Sequence, residues 1–287
     1  MSEITLTSGQ YSAVINDHGA ELRSFKKADK EYMWQADPAF WARTSPVLFP
    51  FVGAVNEGKF YYKEKAYPMG QHGFARDMDF TLVERTENTC LYTLSSNNET
   101  LAKYPLPFTL TIGYELQDNA LKVLWKVENP GTENLEFSIG AHPAFNCTLE
   151  ETTIRIMKNG MGKAAFNNSV FGKGLLTAEK KDVPLEDGYM KLHANSFDGD
   201  AFVIEDGQTD CVEILDDEKN KILSVSYTSP LVGIWSPPTK NAPFLCIEPW
   251  YGRADMEGFQ GELKDRAWNN TLKPGEVFEE SYSICVF

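Results

Sequence analysis

The chain reads as an all-β protein, a large antiparallel β-sandwich, on three observations. Period-two alternation of apolar residues dominates, turn chemistry recurs at roughly eight- to twelve-residue intervals, and helical periodicity is scarce. Between Phe108 and Leu116 one face carries Phe108, Leu110, Ile112, Tyr114 and Leu116, and the other Thr109, Thr111, Gly113 and Glu115. The turn Gln117-Asp118-Asn119-Ala120 leads into a partner strand with Leu121, Val123, Trp125 and Val127 on one side. Side chains alternate across a pleated strand, so this pair is an antiparallel hairpin with one buried face. Strand-like runs also fall at 4–7, 10–16, 80–86, 89–95, 135–141, 201–205, 211–215, 221–226 and 276–286. Turn signals such as Asp17-His18-Gly19, Asn129-Pro130-Gly131 and Asp216–Asn220 separate them. A short helix is expected at Glu99–Tyr104, stopped by Pro105, and a turn at Asp37-Pro38. No linker, low-complexity tract or internal repeat divides the sequence, so residues 1–287 are expected to form a single domain.

Composition narrows the classes of function. Hydrophobic residues make up 42% and charged residues 24% of the 287 residues, which are globular values. The 27 basic and 41 acidic residues give a net charge of −14, and the sequence pI is near 4.8. Such a surface repels phosphate backbones and anionic lipid, so neither nucleic acid nor a membrane is an expected partner. The N-terminus lacks the apolar run of a signal peptide, and nowhere do 18 apolar residues follow one another. The five cysteines are odd in number and scattered without a CxxC pair, which points to a reducing, cytoplasmic setting.

Several motifs look like chemistry and read better as turns. Gly53-x4-Gly58-Lys59 approaches a phosphate-binding loop, but Phe60 stands where a hydroxyl should hold Mg²⁺, and Phe60-Tyr61-Tyr62 is strand-like. Gly160-Met161-Gly162-Lys163-Ala164-Ala165 imitates a dinucleotide fingerprint, yet Asn167-Asn168-Ser169 would break the helix that must follow. There is no GxSxG or HExxH, the four histidines are not closely paired, and Asp216-Asp217-Glu218 lacks calcium-loop spacing. Neither a metal nor a cofactor is expected.

Three segments combine an ionisable residue with glycine or proline and aromatic neighbours: Gly70–Arg76 around His72, Gly140–Asn146 around His142, and Cys246–Gly252 around Glu248. The glycines and prolines interrupt regular pairing, so the polar side chains can project into a cleft. Phe74, Phe145, Trp250 and Tyr251 lie close by in sequence and are candidates for apolar contact with a sugar face. Taken singly, each segment favours a structural role, the histidines as satisfied core or edge residues and the glutamate as a hydrogen-bond acceptor. Together, two histidines and a glutamate are the acid–base set of a proton-transfer reaction.

The segments FPFVG (49–53), HGFAR (72–76), AHPAF (141–145) and IEPWYG (247–252) resemble those of the aldose 1-epimerase, or galactose mutarotase-like, family, most closely its LacX-like branch. Their order and separation follow that family along nearly the whole chain. The resemblance implies a galactose mutarotase-type β-sandwich with a cleft on one sheet and a sugar as substrate. It implies Glu248 as the general base at the anomeric hydroxyl and His142 as the general acid at the ring oxygen. It implies His72 as a second, sugar-binding histidine, Arg76 as a hydroxyl or phosphate contact, and Asp200 as a substrate-binding aspartate for whose role Asp198 competes.

No cofactor is demanded, because mutarotation only relocates protons. From reference values near ~4.3 for glutamate and ~6.5 for histidine, Glu248 is expected to be ionised at neutral pH and His142 to be raised by a neighbouring carboxylate. Activity is then expected to fall on the acid side. Relatives often carry arginine where this chain has Ala54, a difference for which Arg43 or Arg76 could compensate. Arg43, Arg76 and Arg253 also suit a hexose 6-phosphate. The leading expectation is an epimerase of a free hexose such as galactose or glucose. A hexose-6-phosphate mutarotase and a non-catalytic sugar-binding or sensing protein remain open. The oligomeric state is not specified by the sequence.

Overall fold

The computed structural model describes residues 2–287. Antiparallel strands dominate, arranged chiefly in a ten-stranded and an eight-stranded sheet, with a four-stranded sheet formed by the N-terminal residues Glu3–Glu31. The expected hairpin is present as Thr109–Gln117 paired with Ala120–Glu128, in a register that sets Ile112 opposite Trp125. It lies inside the ten-stranded sheet, flanked by Thr89–Ser95 and by Val277–Val286. The short helix runs Asn98–Lys103. The Asn97 side chain accepts from the Glu99 and Thr100 amides, and the Thr100 hydroxyl accepts from the Asn97 amide, a reciprocal cap.

Inward-facing residues of the two large sheets share one apolar core. Leu110, Ile112, Leu121, Val123, Ile214 and Ile284 come from the ten-stranded sheet, and Ile139, Val232, Ile234, Leu245 and Ile247 from the eight-stranded sheet. Each of these side chains is essentially excluded from water. This packing turns one face of the eight-stranded sheet into the core and leaves the other free for a cleft.

The structure adds strands that the alternation did not indicate. Leu176–Pro184 is exposed along most of its length and reads as polar loop, whereas Phe244–Tyr251 is buried almost throughout and so shows no alternation. Strand Phe244–Tyr251 also runs through Pro249, a residue that normally argues against a central strand. The near-miss phosphate loop is a single 3₁₀ turn, Asn56–Gly58, followed by strand Lys59–Tyr62. The near-miss fingerprint is a tight hairpin, with Met161–Gly162 paired back onto Thr153–Lys158. Among the described residues no helix is long and apolar enough to cross a membrane.

Ile247 lies on the core face of strand Phe244–Tyr251, fully buried and adjacent in sequence to Glu248. Truncation there leaves a cavity as well as losing transfer energy, so Ile247→Ala is expected to cost about 2–5 kcal/mol in urea denaturation. A cost below about 1 kcal/mol would show that this position is not in a packed interior.

Candidate active site

Strand Phe244–Tyr251 divides its residues by alternation. Leu245 and Ile247 enter the core between the sheets, while Phe244, Cys246, Glu248 and Trp250 occupy the opposite face. On its neighbour, Gly140 pairs with Trp250 and Ala144 with Cys246. These two pairings share one register, and continuing it sets His142 directly opposite Glu248. The ladder is broken between them because the intervening positions include Pro143 and Pro249, neither of which has an N–H to donate. One long bond crosses the gap, from Ile247 N–H to Pro143 O at 3.4 Å. In this gap His142 Nε2 lies 3.3 Å from Glu248 Oε2, with both side chains almost wholly buried. Among the described residues Glu248 Oε2 and His142 Nδ1 have no hydrogen-bond partner.

His72 arrives from a turn. It has φ +68° and the following Gly73 has φ +70°. A side chain on Gly73 would come within 2.3 Å of Phe49 O, so glycine is required where the turn packs on that backbone. The His72 amide donates to Gly53 O at 2.9 Å, and the Gly53 amide donates to His72 Nδ1 at 3.1 Å. Because Nδ1 is an acceptor, the imidazole proton resides on Nε2 and is available to the cleft. The His72 and His142 rings meet edge to face at 5.5 Å.

A buried ion pair braces the loop that holds His72. Arg266 Nε donates to Asp255 Oδ1 at 2.7 Å, and Asp255 Oδ2 accepts from the Asn56 amide at 2.9 Å. The Asp255 amide donates to Ala54 O at 2.9 Å, and the Arg266 guanidinium lies 4.6 Å from the centre of the Phe51 ring. These contacts tie segments 51–56 and 253–255 together behind Gly53.

The cleft above these groups has a volume of about 360 Å³, near the small end of the ~300–1,000 Å³ usual for small-molecule sites. Trp41 stacks on His142 at 4.7 Å, Trp235 meets the same ring edge-on at 5.3 Å, and Trp250 forms a further wall. Trp250 fits because both flanking strands place glycine against it: a side chain on Gly140 or Gly233 would come within 2.6 or 2.4 Å of the indole. Arg43, Gln71 and Arg76 line one part of the cleft, and Asp200 is also among the lining residues. Arg43 bonds Asp77 at 2.8 Å, and Arg76 Nε stands 3.8 Å from the same carboxylate. Arg76 also donates to Gln71 O at 2.8 Å, while its buried Nε has no hydrogen-bond partner.

Residues 2–285 match the family model described as Aldose 1-epimerase. Protein LacX (plasmid) of Lactococcus lactis subsp. lactis is 30% identical over 281 residues, covering 93% of this chain and 94% of that protein. The chain belongs to the aldose 1-epimerase family. A galactose mutarotase related enzyme from Lactobacillus acidophilus has a similar structure, with TM-score 0.94 and 34% identity over 100% of this chain and 97% of that one. A galactose mutarotase-like protein from Lactobacillus casei ATCC 334 superposes with TM-score 0.93 at 28% identity, covering 100% of both chains. The family supports a mutarotase-like isomerase with a sugar substrate.

Against this family background, the structure brings His72, His142, Glu248, Arg76 and Asp200 to one cleft. Asp198 is exposed and outside it, with its carboxylate accepting from the Thr239 amide at 3.2 Å. Arg253 does not reach the cleft, because its guanidinium pairs with Glu205 at 2.7 Å. Arg43, Arg76 and Ala54 all line the cleft. Of the four aromatic residues singled out in sequence, only Trp250 lines the cleft. Phe74 and Phe145 belong to the core, and Tyr251 faces Trp125 and Phe278 on the other side of its strand. Trp41 and Trp235 line the cleft beside Trp250. Neither lies in a matched segment; the only local sign is Trp235 at a strand end before Ser236-Pro237-Pro238.

Burial reverses the ionisation expected from reference values. It pushes Glu248 well above the usual carboxylate range, with the charge of Asp200 adding to the shift. It also pulls His142 down to about 3, assisted by the Arg76 and Arg43 charges. His72 is held well below its ordinary value by burial and then by His142 and Arg76. Both members of the His142–Glu248 pair therefore favour their neutral forms.

This has a consequence for stability. The pKa of Glu248 is higher in the folded chain than the ~4.3 of an unfolded one, so the folded state binds the extra proton and stability declines as pH rises above that value. His142 acts in the opposite sense, its contribution being lost as pH falls from ~6.5 toward about 3. Both proteins in a wild-type versus Glu248→Gln comparison retain His142. Glu248→Gln is expected to melt at a higher temperature than wild type at about pH 8, with the difference shrinking toward about pH 5. Thermal melts that show no pH-dependent difference would contradict the raised Glu248 pKa.

Proposed function

We propose that this chain is an aldose 1-epimerase that interconverts the α and β anomers of a free hexose, with galactose or glucose as substrate, by acid–base ring opening. The observation that carries the reading is the direct contact between His142 and Glu248, 3.3 Å apart, beside Trp41 and Trp235. It supplies an acid and a base side by side, with apolar ring faces for the C–H side of a sugar.

At rest Glu248 holds the proton to be transferred, and neutral His142, with its ring proton on Nδ1, presents Nε2 as the acceptor. As the sugar hydroxyls replace lost hydration around the carboxylate, that proton passes to His142 across the short contact. Glu248 then takes the proton of the C1 hydroxyl while His142 protonates O5 and the C1–O5 bond breaks. The products are the open-chain aldehyde, neutral His142 and protonated Glu248, so the pair regains its resting charge. Rotation about C1–C2 and the reverse transfers close the ring on the other face. His72 donates through Nε2–H to a sugar oxygen in the same region. Arg76 and Asp200 bind hydroxyls at separate positions on the cleft wall. The chemistry uses only these side chains and the sugar's own hydroxyls.

A hexose 6-phosphate is the second reading, supported by the two guanidiniums of Arg43 and Arg76 that share the single carboxylate of Asp77 and leave net positive charge beside the cleft. The five cysteines are all free among the described residues, which supports a cytoplasmic setting.

The test is NMR exchange between α and β anomers of galactose, glucose and glucose 6-phosphate at neutral pH. Wild type is expected to accelerate exchange of a free hexose, and Glu248→Gln to lose about 10²–10⁴-fold of that acceleration. A strong preference for the phosphorylated sugar would select the second reading. A Glu248→Gln variant at the wild-type rate would remove Glu248 from proton transfer. Binding of these sugars with no acceleration by wild type would leave a sugar-binding protein.

A further inference from the structure

We propose that His142, Cys246 and Glu248 form a binding site for a thiophilic divalent cation of the zinc class, and that its occupation blocks the proposed proton transfers. Nothing in the acid–base chemistry calls for Cys246, yet its position is set by the same geometry. Cys246 and Glu248 are two residues apart on one face of strand Phe244–Tyr251, and Ala144, the pairing partner of Cys246, lies two residues beyond His142. The imidazole, thiol and carboxylate thus each present a donor atom, and these atoms all lie within 4.8 Å of one another. Among the described residues no other group of three such side chains comes as close.

One of the three donor separations already suits a tetrahedral ion, and the Cys246 thiol lies within 4.8 Å of the other two donors. Zinc binds imidazole and carboxylate at roughly 2.0–2.2 Å and thiolate at roughly 2.3 Å, so neighbouring ligands stand about 3.3–3.6 Å apart. The His142 Nε2–Glu248 Oε2 separation of 3.3 Å already has that length. An independent observation points to a ligand: Glu248 is 1% exposed, and its Oε2, the atom facing His142, is buried without a hydrogen-bond partner among the described residues. A cation would satisfy it. The set of imidazole, thiolate and carboxylate is selective for borderline-soft ions over Mg²⁺ or Ca²⁺. Three protein ligands leave a fourth position toward the cleft for water or a sugar hydroxyl.

A metal in this position uses the lone pairs on Nε2 and Oε2 that would otherwise exchange protons with the sugar. Metal binding itself does not depend on the proposed activity, whereas the inhibitory consequence rests on it. The experiment therefore reads binding without catalysis. Co²⁺ titrated into the full-length protein is expected to bind one ion per chain and to produce a near-ultraviolet thiolate-to-cobalt charge-transfer band, lost on addition of Zn²⁺.

Cys246→Ser should abolish the band and weaken zinc binding at least about tenfold, and Cys147→Ser should retain both. His142→Gln, followed by direct zinc titration, provides a second variant should Cys246→Ser fold poorly, and should weaken binding comparably. Anomalous diffraction from wild-type crystals soaked in Zn²⁺ needs no variant and should place the ion between the three side chains. Absence of the thiolate band in wild type, its persistence in folded Cys246→Ser, or an ion located elsewhere would overturn the site. Full zinc binding with no effect on anomer exchange would retain the site and remove its inhibitory role.

Discussion

A gap in an otherwise continuous antiparallel ladder carries the site. Pairing between Ile139–Asn146 and Phe244–Tyr251 holds one register on both sides of the gap, so the chain has no freedom to slide. Within it, Pro143 and Pro249 remove the amides that would close the ladder. Cross-strand neighbours are about 5 Å apart at Cβ, and opposite side chains of this length then meet. The His142–Glu248 contact is a consequence of sheet register, supported from behind by Leu245 and Ile247 in the core. Had the register slipped by one residue, Glu248 would point into that core.

Polar groups around the site are well satisfied, and those at its centre are not. The Arg266–Asp255 pair meets its hydrogen-bonding needs through Asn56, Ala54 and Arg253, and so fixes the loop that sets the His72 tautomer. Glu248 Oε2, His142 Nδ1 and Trp250 Nε1 lack hydrogen-bond partners among the described residues. Unsatisfied buried atoms cost roughly 1–3 kcal/mol each. A concentration of them at one place in a well-packed chain marks where the fold gives up stability for binding. Burial behind the tryptophan walls removes hydration from both charged forms, which accounts for pKa shifts in opposite directions on adjacent residues.

Much of this was legible in the sequence, for reasons that differ by element. The hairpin spanning Thr109–Glu128 was readable because one face meets solvent, so its alternation is explicit. Phe244–Tyr251 was not, because a strand covered on both faces has no polar face to display. His72, His142 and Glu248 stood out through glycine and proline beside them, and these residues do mark a turn and a break in pairing. Their meeting depends on register, which local sequence does not encode. Trp41 and Trp235 reach His142 from segments nearly two hundred residues apart in the chain. Nor could reference pKa values anticipate neutral forms for both members of the pair, since burial is a property of the assembled sheet.

Sheet register sets His142 against Glu248, and burial holds both near neutrality. The most direct measurement is an NMR titration of the imidazole nitrogens of His142, assigned by comparison with His142→Gln. His142 is expected to keep the neutral imidazole pattern as pH is lowered to about 5, with its folded-state pKa far below the ordinary ~6.5. A His142 that titrates near or above that ordinary value would contradict it, and would show that the ring is solvated or that Glu248 is ionised beside it.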